Sequence, residues 1–141
     1  MTEKDVIITV KGEQVLPGEK PDRTELVTEG RFFVEEGAFR LQYEESELTG
    51  MEGTTTEFLV AGSQVVLSRR GSVVSRMVFE KGQRSHSLYQ TPYGSMDLDI
   101  YTTILSNALT AQGGRLDLCY TIAIGGQPMG HNSFSITVRE K

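Results

Sequence analysis

A succession of about ten β-rich runs, each closed by a turn that carries glycine, most constrains what this chain can fold into. The turns include Glu36-Gly37, Gly62-Ser63, Lys81-Gly82 and Gly125-Gly126. Short runs rich in Val, Ile, Thr and aromatic residues predict strands, and glycine-bearing pairs between them suit tight hairpin turns. Apolar residues do not recur at helical spacing over three turns anywhere in the sequence. The sequence therefore predicts consecutive antiparallel hairpins, with at most one helical turn at 107–112.

The predicted strands are numerous enough to close into a barrel. An antiparallel sheet of that size tends to curl on itself, because closure removes its exposed edges. We expect an all-β, antiparallel up-and-down β-barrel of about 8–10 strands, forming a single domain over residues 1–141, and a two-sheet sandwich is the alternative. The predicted strands cover residues 6–15, 24–35, 39–47, 55–61, 64–70, 74–80, 85–90, 95–107, 116–124 and 129–138.

Alternation along the strands predicts which side chains face the interior, since successive residues of a strand point to opposite faces. The clearest strand runs from Leu116 to Ile124, with Arg115, Asp117 and Thr121 pointing outward. Cys119 falls on this polar side and is a weak candidate for chemistry. The predicted inward series are Leu116, Leu118, Tyr120, Ile122 and Ile124; Phe39, Leu41 and Tyr43; Val65 and Leu67; and Met96, Leu98, Ile100 and Ile104.

The two ends of the predicted barrel differ in character. Alternate turns of an up-and-down barrel lie at the same end, so the connections form two rims. One rim has generic turns at 36–37, 62–63, 81–82 and 113–114. The other, called the loop rim below, carries the connections at 16–22, 48–54, 71–73, 91–94 and 125–126. It includes the densest polar stretch of the chain, Tyr43 to Thr56, and the Thr91-Pro92-Tyr93-Gly94 turn.

Two charged residues continue inward series at the loop rim. Glu45 follows Tyr43, and Arg69 follows Leu67. A charge that loses its hydration without a partner costs several kcal/mol, so we expect the two to meet in a polar network. The candidate ligand-binding residues are therefore Glu45, Glu47, Arg69, Tyr89, Tyr93 and Tyr120. A purely structural network is the alternative.

The charge of the chain limits its partners. The net charge of −5 argues against binding to DNA or to an anionic membrane. Residues 1–57 hold 14 acidic and 6 basic residues, whereas residues 58–141 hold 5 and 8. The basic stretch from Arg69 to His86 is expected to be a solvated sheet surface rather than an RNA contact, because few aromatic residues accompany it.

The amino terminus and the single cysteine bear on location. Residues 1–10 have no basic segment followed by a long apolar run, so we expect no signal peptide, and no aliphatic run is long enough to span a membrane. Cys119 alone cannot form an intrachain disulfide. We therefore expect a cytoplasmic protein.

Motifs for metals, cofactors and catalysis are missing from the sequence. The acidic stretch has no EF-hand spacing, and His86 and His131 have no spacing typical of zinc sites. The segment from Gly125 to Gly130 lacks G-x-G-x-x-G spacing, and G-x-S-x-G does not occur. We expect no metal and no cofactor. The sequence favours binding over enzymatic activity, because no nucleophile–base pair can be named.

Four segments carry a resemblance to a known family. ELVTEG (25–30), YEESELTGMEGTTT (43–56), SRMVFEKG (75–82) and TPYGSMDLDIYT (91–102) resemble the YwiB-like family of uncharacterised bacterial proteins. The resemblance covers nearly the whole chain. It implies a calycin-like, lipocalin-related β-barrel and assigns no activity.

Two functional hypotheses follow from the sequence. The first is non-enzymatic binding of a small, partly apolar ligand through the loop rim, since a barrel can enclose a ligand. The second is an interaction module that displays the 48–54 and 91–94 loops to a protein or RNA partner. The oligomeric state and the identity of a ligand stay open.

Overall fold

The computed structural model describes residues 2–141, except the side chain of Leu48. Within these residues the chain forms ten strands and one short 3₁₀ helix, Glu47–Thr49. Each strand pairs antiparallel with its neighbours in the order β6-β5-β4-β3-β2-β1-β10-β9-β8-β7. The strands are β1 (Thr2–Val15), β2 (Asp22–Glu35), β3 (Ala38–Glu44), β4 (Thr54–Ala61), β5 (Gln64–Gly71), β6 (Ser75–Glu80), β7 (Arg84–Thr91), β8 (Gly94–Thr110), β9 (Gly113–Ile124) and β10 (Gln127–Glu140).

This meander curls into a nearly closed barrel, as the sequence predicts. The first and last strands pair along ten residues, from Val6 opposite Glu140 to Val15 opposite His131. The remaining junction lies between β6 and β7, the two ends of the sheet order. We call this junction the seam.

The seam is held by side chains where a ladder would be expected. Its described backbone pairing is one bridge between Val74 and Gln90, beside the loop rim. A ladder in that register would next pair Arg76 with Leu88, but the sheet contains no β6–β7 ladder. Instead, the Oγ atoms of Ser85 and Ser87 donate to the carbonyls of Val78 and Arg76, both at 2.8 Å. The inward-facing serines therefore bridge the two strands.

The barrel wall is taller on one side than on the other. Strands β8, β9, β10, β1 and β2 have 12–17 residues, whereas β3 to β7 have 6–8. The ladder between β2 and β3 covers only Arg31–Glu35, so residues 22–30 of β2 lie outside that ladder. The loop rim is consequently uneven, and the inner face of the tall side opens toward it.

Large apolar side chains fill the barrel away from the loop rim. Phe32, Phe58 and Phe79 are each no more than 1% exposed. Phe79 packs against Tyr120, with ring centroids 4.8 Å apart. These residues belong to one continuous core cluster. The inward positions nearest the loop rim, by contrast, are polar.

The structure corrects several local predictions. The third strand ends at Glu44 and not at Glu47, because the 3₁₀ helix follows. Residues 107–110 continue β8 and form no helical turn, since they pair with residues 113–116. A register shift between Thr102 and Ile104 breaks the alternation, so Ile104 is 51% exposed although it was predicted to face inward. Met96, also predicted to face inward, is 41% exposed because it lies near the start of β8 at the loop rim.

Candidate ligand site at the barrel mouth

Glu45 lies just beyond the end of β3, with its side chain directed into the barrel. The residue is 7% exposed. The Thr56 hydroxyl donates to Oε2 at 2.5 Å, and the Thr49 hydroxyl donates to Oε1 at 3.0 Å. The backbone N–H of Glu45 also donates to the Thr54 carbonyl. Because both carboxylate oxygens accept hydrogen bonds, the charge has a fixed position at the mouth.

Arg69 occupies the facing inward position on β5. Its cross-strand neighbours are Thr56 and Ser75, and it is 9% exposed. The Nε atom lies 4.0 Å from Glu45 Oε2, which is ion-pair distance but too long for a hydrogen bond. Nε is enclosed and has no hydrogen-bond partner, and the same holds for the Ser75 hydroxyl. The mouth therefore contains a buried cation with one N–H donor, at Nε, that has no partner.

Two buried tyrosines share this environment. Burial raises the pKa of Tyr43, and the negative charge of Glu45 raises it further. Burial likewise raises the pKa of Tyr120, while the positive charge of Arg69 opposes that rise. Both hydroxyls therefore stay protonated at neutral pH, and that of Tyr43 donates a hydrogen bond to the Glu45 carboxylate.

The structure brings some of the predicted site residues together and separates others. Glu45, Arg69 and Tyr120 share the inner side of the mouth. Tyr89 is half-buried, acts electrostatically on Tyr120, and has its hydroxyl 3.9 Å from Met51 Sδ. Glu47 is exposed on the 3₁₀ helix, and Tyr93 is 99% exposed in the β7–β8 turn. The network is thus smaller than the predicted set.

A small cavity of about 170 Å³ opens at the loop rim on the tall side of the wall. It lies between the ends of β1 and β2 and the adjoining parts of β9 and β10. Asn132, the cross-strand partner of Tyr120, lines it, and its enclosed Nδ2 has no hydrogen-bond partner. Gly12, Thr24, Tyr120 and Phe134 also line the cavity.

Sequence reasoning missed Asn132, Thr56 and Thr49. Thr56 could have been found, because it alternates inward with Phe58 and Val60 on β4. Asn132 follows a register shift between Pro128 and His131, which interrupts simple counting from the turn. Gly130, with a φ of 98°, is the one local signal of that shift.

Metal and thiol chemistry indicate no site among the described residues. Among the described residues there is no group of three or more His, Cys, Asp or Glu side chains that could hold a metal ion. Burial and Asp117 raise the pKa of the Cys119 thiol, which disfavours the reactive thiolate. No helix in residues 2–141 is long and apolar enough to cross a membrane.

Comparison with known proteins places this barrel in a family. The model of a domain of unknown function, DUF1934, matches residues 8–136. The chain belongs to the DUF1934 family. A relative of this DUF1934 chain is the uncharacterized β-barrel protein YwiB of Bacillus subtilis strain 168, which is 24% identical over 113 residues, covering 80% of this chain and 78% of the relative. The resemblance to YwiB-like proteins inferred from the four segments is thereby confirmed.

The crystal structure of the B. subtilis ywiB protein has the same fold. It superposes with a TM-score of 0.88 at 21% identity, covering 99% of the DUF1934 chain and 93% of the crystallised one. The predicted antiparallel barrel is confirmed. The likeness extends to the architecture and carries no statement about a ligand.

Proposed function

We propose that this DUF1934 protein is a non-enzymatic binding barrel that takes a small, partly apolar molecule at its loop rim. The observation that carries the proposal is Arg69, a buried cation whose Nε has no hydrogen-bond partner. Leaving a buried donor unsatisfied costs about 1–3 kcal/mol, and a ligand oxygen would remove that cost. We also propose that the barrel is related to the calycins and that the protein is cytoplasmic.

The size of the site limits the ligand. Phe79 and the other core side chains fill the barrel beyond the mouth. The rim cavity lined by Asn132, Tyr120 and Phe134 has a volume of about 170 Å³, below the roughly 300–1,000 Å³ typical of sites for drug-sized ligands. We therefore propose a ligand of a few heavy atoms, whose apolar part packs against Phe134 and Tyr120.

The charges of Arg69 and Glu45 at the mouth favour a ligand whose polar end is uncharged. Arg69 and Glu45 balance each other, so an anionic ligand would add an uncompensated charge beside the Glu45 carboxylate. A carbonyl or hydroxyl oxygen accepts a hydrogen bond from Arg69, or from Asn132 in the cavity, without that cost. Small alcohols, ketones and amides are the class of ligand that fits.

The test compares ligand capture with stability in matched variants. A panel of small amides, ketones and alcohols is titrated while backbone amide signals are followed by NMR. In Arg69→Met, which keeps the length and removes the charge, we expect capture to be lost while the fold is retained. Arg115→Met is the control, because Arg115 pairs with Asp117 on the outer surface. If both variants bind the ligands equally well, or if Arg69→Met loses only stability, the role of the network is purely structural.

A second candidate function rests on Tyr93. Its side chain is 99% exposed at the tip of the β7–β8 turn, and Leu88 and Val74 beside the seam are 46% and 45% exposed. Exposed aromatic and aliphatic side chains of this kind suit an interaction module for a protein or RNA partner. Pull-down of one defined partner that is lost in a double replacement of Glu52 and Tyr93 would support it. Recovery of free protein alone would count against it.

A further inference from the structure

A second cavity lies on the outer face of the barrel, apart from the mouth. Its volume is about 570 Å³, within the range of small-molecule sites. The sheet face of β8, β9 and β10 lines one side, and residues 15–19, at the end of β1 and in the β1–β2 connection, line the other. We call it the outer groove.

The floor of the outer groove is a row of residues that strand pairing places side by side. Each residue is the cross-strand partner of the next, and together the pairs span five strands. Such a row is held by backbone ladders and so keeps its spacing without a ligand. In order across β7, β8, β9, β10 and β1, the row is Arg84, Tyr101, Thr121, His131 and Val15.

An irregularity in β10 shapes one end of the groove. The register shifts between Pro128 and His131, and Gly130 there has a φ of 98°. A Cβ on Gly130 would lie 2.0 Å from the Val15 carbonyl oxygen, so this close approach requires glycine. Bulges of this kind re-aim side chains and often occur beside functional sites.

The chemistry of the groove comes from Arg84 and Tyr101. The Arg84 guanidinium lies over the Tyr101 ring, 5.1 Å from its centroid. Arg84 takes part in none of the ion pairs formed within residues 2–141. The groove also contains the carboxylates of Asp99 and Glu19, but Asp99 is hydrogen-bonded to His86 at 2.9 Å, and neither carboxylate forms an ion pair with Arg84. Among the described residues, Arg84 is therefore a cation without an ion-pair partner, and it lies next to the flat ring of Tyr101.

We propose that the outer groove binds small organic anions in which a carboxylate is attached to a flat apolar body. The carboxylate accepts N–H bonds from Arg84, a charge-assisted contact that is stronger than its neutral equivalent. The apolar body packs against the Pro17 and Pro128 side of the groove, next to the Tyr101 ring. This proposal does not depend on the mouth, where the charge balance favours uncharged ligands.

The experiment uses a matched pair of probes, 3-phenylpropanoate and 3-phenylpropanamide, titrated into the whole protein with backbone amide signals followed by NMR. We expect saturable shifts at Tyr101, Thr121 and His131 with the carboxylate, and affinity for the amide at least about tenfold weaker. Equal affinity for both probes would overturn the proposal. So would shifts confined to the mouth residues Tyr120 and Asn132, or no saturation by millimolar carboxylate.

A variant and its control test whether Arg84 binds the carboxylate. Arg84→Met removes the cation and keeps the stem, and we expect it to lose about tenfold in affinity for the carboxylate while amide binding is unchanged. Arg115→Met, on the same outer face, is the control and should bind as the unmodified protein does. Because Arg84 is exposed, the variant should keep its amide spectrum outside the groove. Unchanged carboxylate binding by Arg84→Met would also overturn the proposal.

Discussion

Thr56 is the residue on which the buried charge of Glu45 most depends. Its hydroxyl donates to a carboxylate that is almost fully enclosed, so Thr56→Val would leave that oxygen without one of its donors. We expect a loss of about 1–3 kcal/mol in the free energy of unfolding, measured by urea denaturation. Thr55→Val is the matched control, since Thr55 bonds Glu44 at the exposed surface and should cost much less. Equal losses would contradict the role of Thr56.

His86 is expected to titrate above its ordinary range. The hydrogen bond to Asp99 raises the pKa of His86, and Asp97 on the other ring nitrogen acts in the same direction. Since the folded pKa is raised, the stabilisation is fully present below about pH 6.5 and is lost as pH rises through the folded pKa. NMR titration of the imidazole should show this raised pKa, and Asp99→Asn should lower it. An unchanged pKa in Asp99→Asn would contradict the assignment.

Sequence reasoning located the mouth residues where alternation continued without interruption. Glu45 and Arg69 were placed inside because each extends an apolar series by one step, and burial of both confirms that register. Tyr93 was included for its position in a turn, and a turn residue has no face fixed by a ladder. Ligand binding by the network stays a prediction. Alternation shows which side chains point into the barrel, and it does not show whether a ligand binds there.

At the scale of strands, alternation fails to predict which way side chains point beyond the two register shifts. Ile104 was predicted to face inward because the alternation of β8 was assumed to run through Thr102. No glycine or proline marks that shift, so the sequence gives no local warning. The strand also extends to Thr110 in residues that have little strand character of their own, because the ladder with β9 stabilises it.

Gly130 should be intolerant of any side chain. Gly130→Ala combines a left-handed φ with a clash against the Val15 carbonyl, where β1 and β10 begin to pair. We expect a loss of about 1–3 kcal/mol by thermal or urea unfolding. Gly18→Ala is the control, since Gly18 has a φ of 76° but no atom within 4 Å of the added Cβ. A cost for Gly130→Ala no larger than that control would show that β10 relaxes freely.

At the scale of the whole barrel, the seam should be the least protected part of the wall. Its described backbone pairing is one bridge, with two serine hydroxyls spanning the rest. We expect the amides of Arg76, Val78, His86 and Leu88 to exchange with deuterium faster than those between β1 and β10. Replacing both Ser85 and Ser87 by alanine should accelerate that exchange and lower the melting temperature.

The control for the seam is Ser106→Ala, an exposed serine on β8. It should change neither the exchange of the seam amides nor the melting temperature. Seam amides that exchange as slowly as those of the β1–β10 ladder would contradict the expected weakness.

The closed meander could be predicted because its turns recur at short intervals and its strands alternate. The seam could not be predicted, since β6 and β7 have ordinary strand sequences and the absence of a ladder between them depends on barrel geometry. The difference between the tall and short sides was also missed, because strand ends depend on partners elsewhere in the sheet. For the same reason the outer groove, which residues from five strands and a loop assemble, had no signature in any one segment.

Strands that are neighbours in the chain are also neighbours around the barrel, and this has an electrical consequence. The acidic residues 1–57 occupy one arc of the wall, and the more basic remainder occupies the rest. The molecule therefore carries a permanent dipole moment directed across the barrel. On a positively charged surface it should adsorb through β1 to β3 and hold β6 and β7 toward the solution, an orientation that low salt would strengthen.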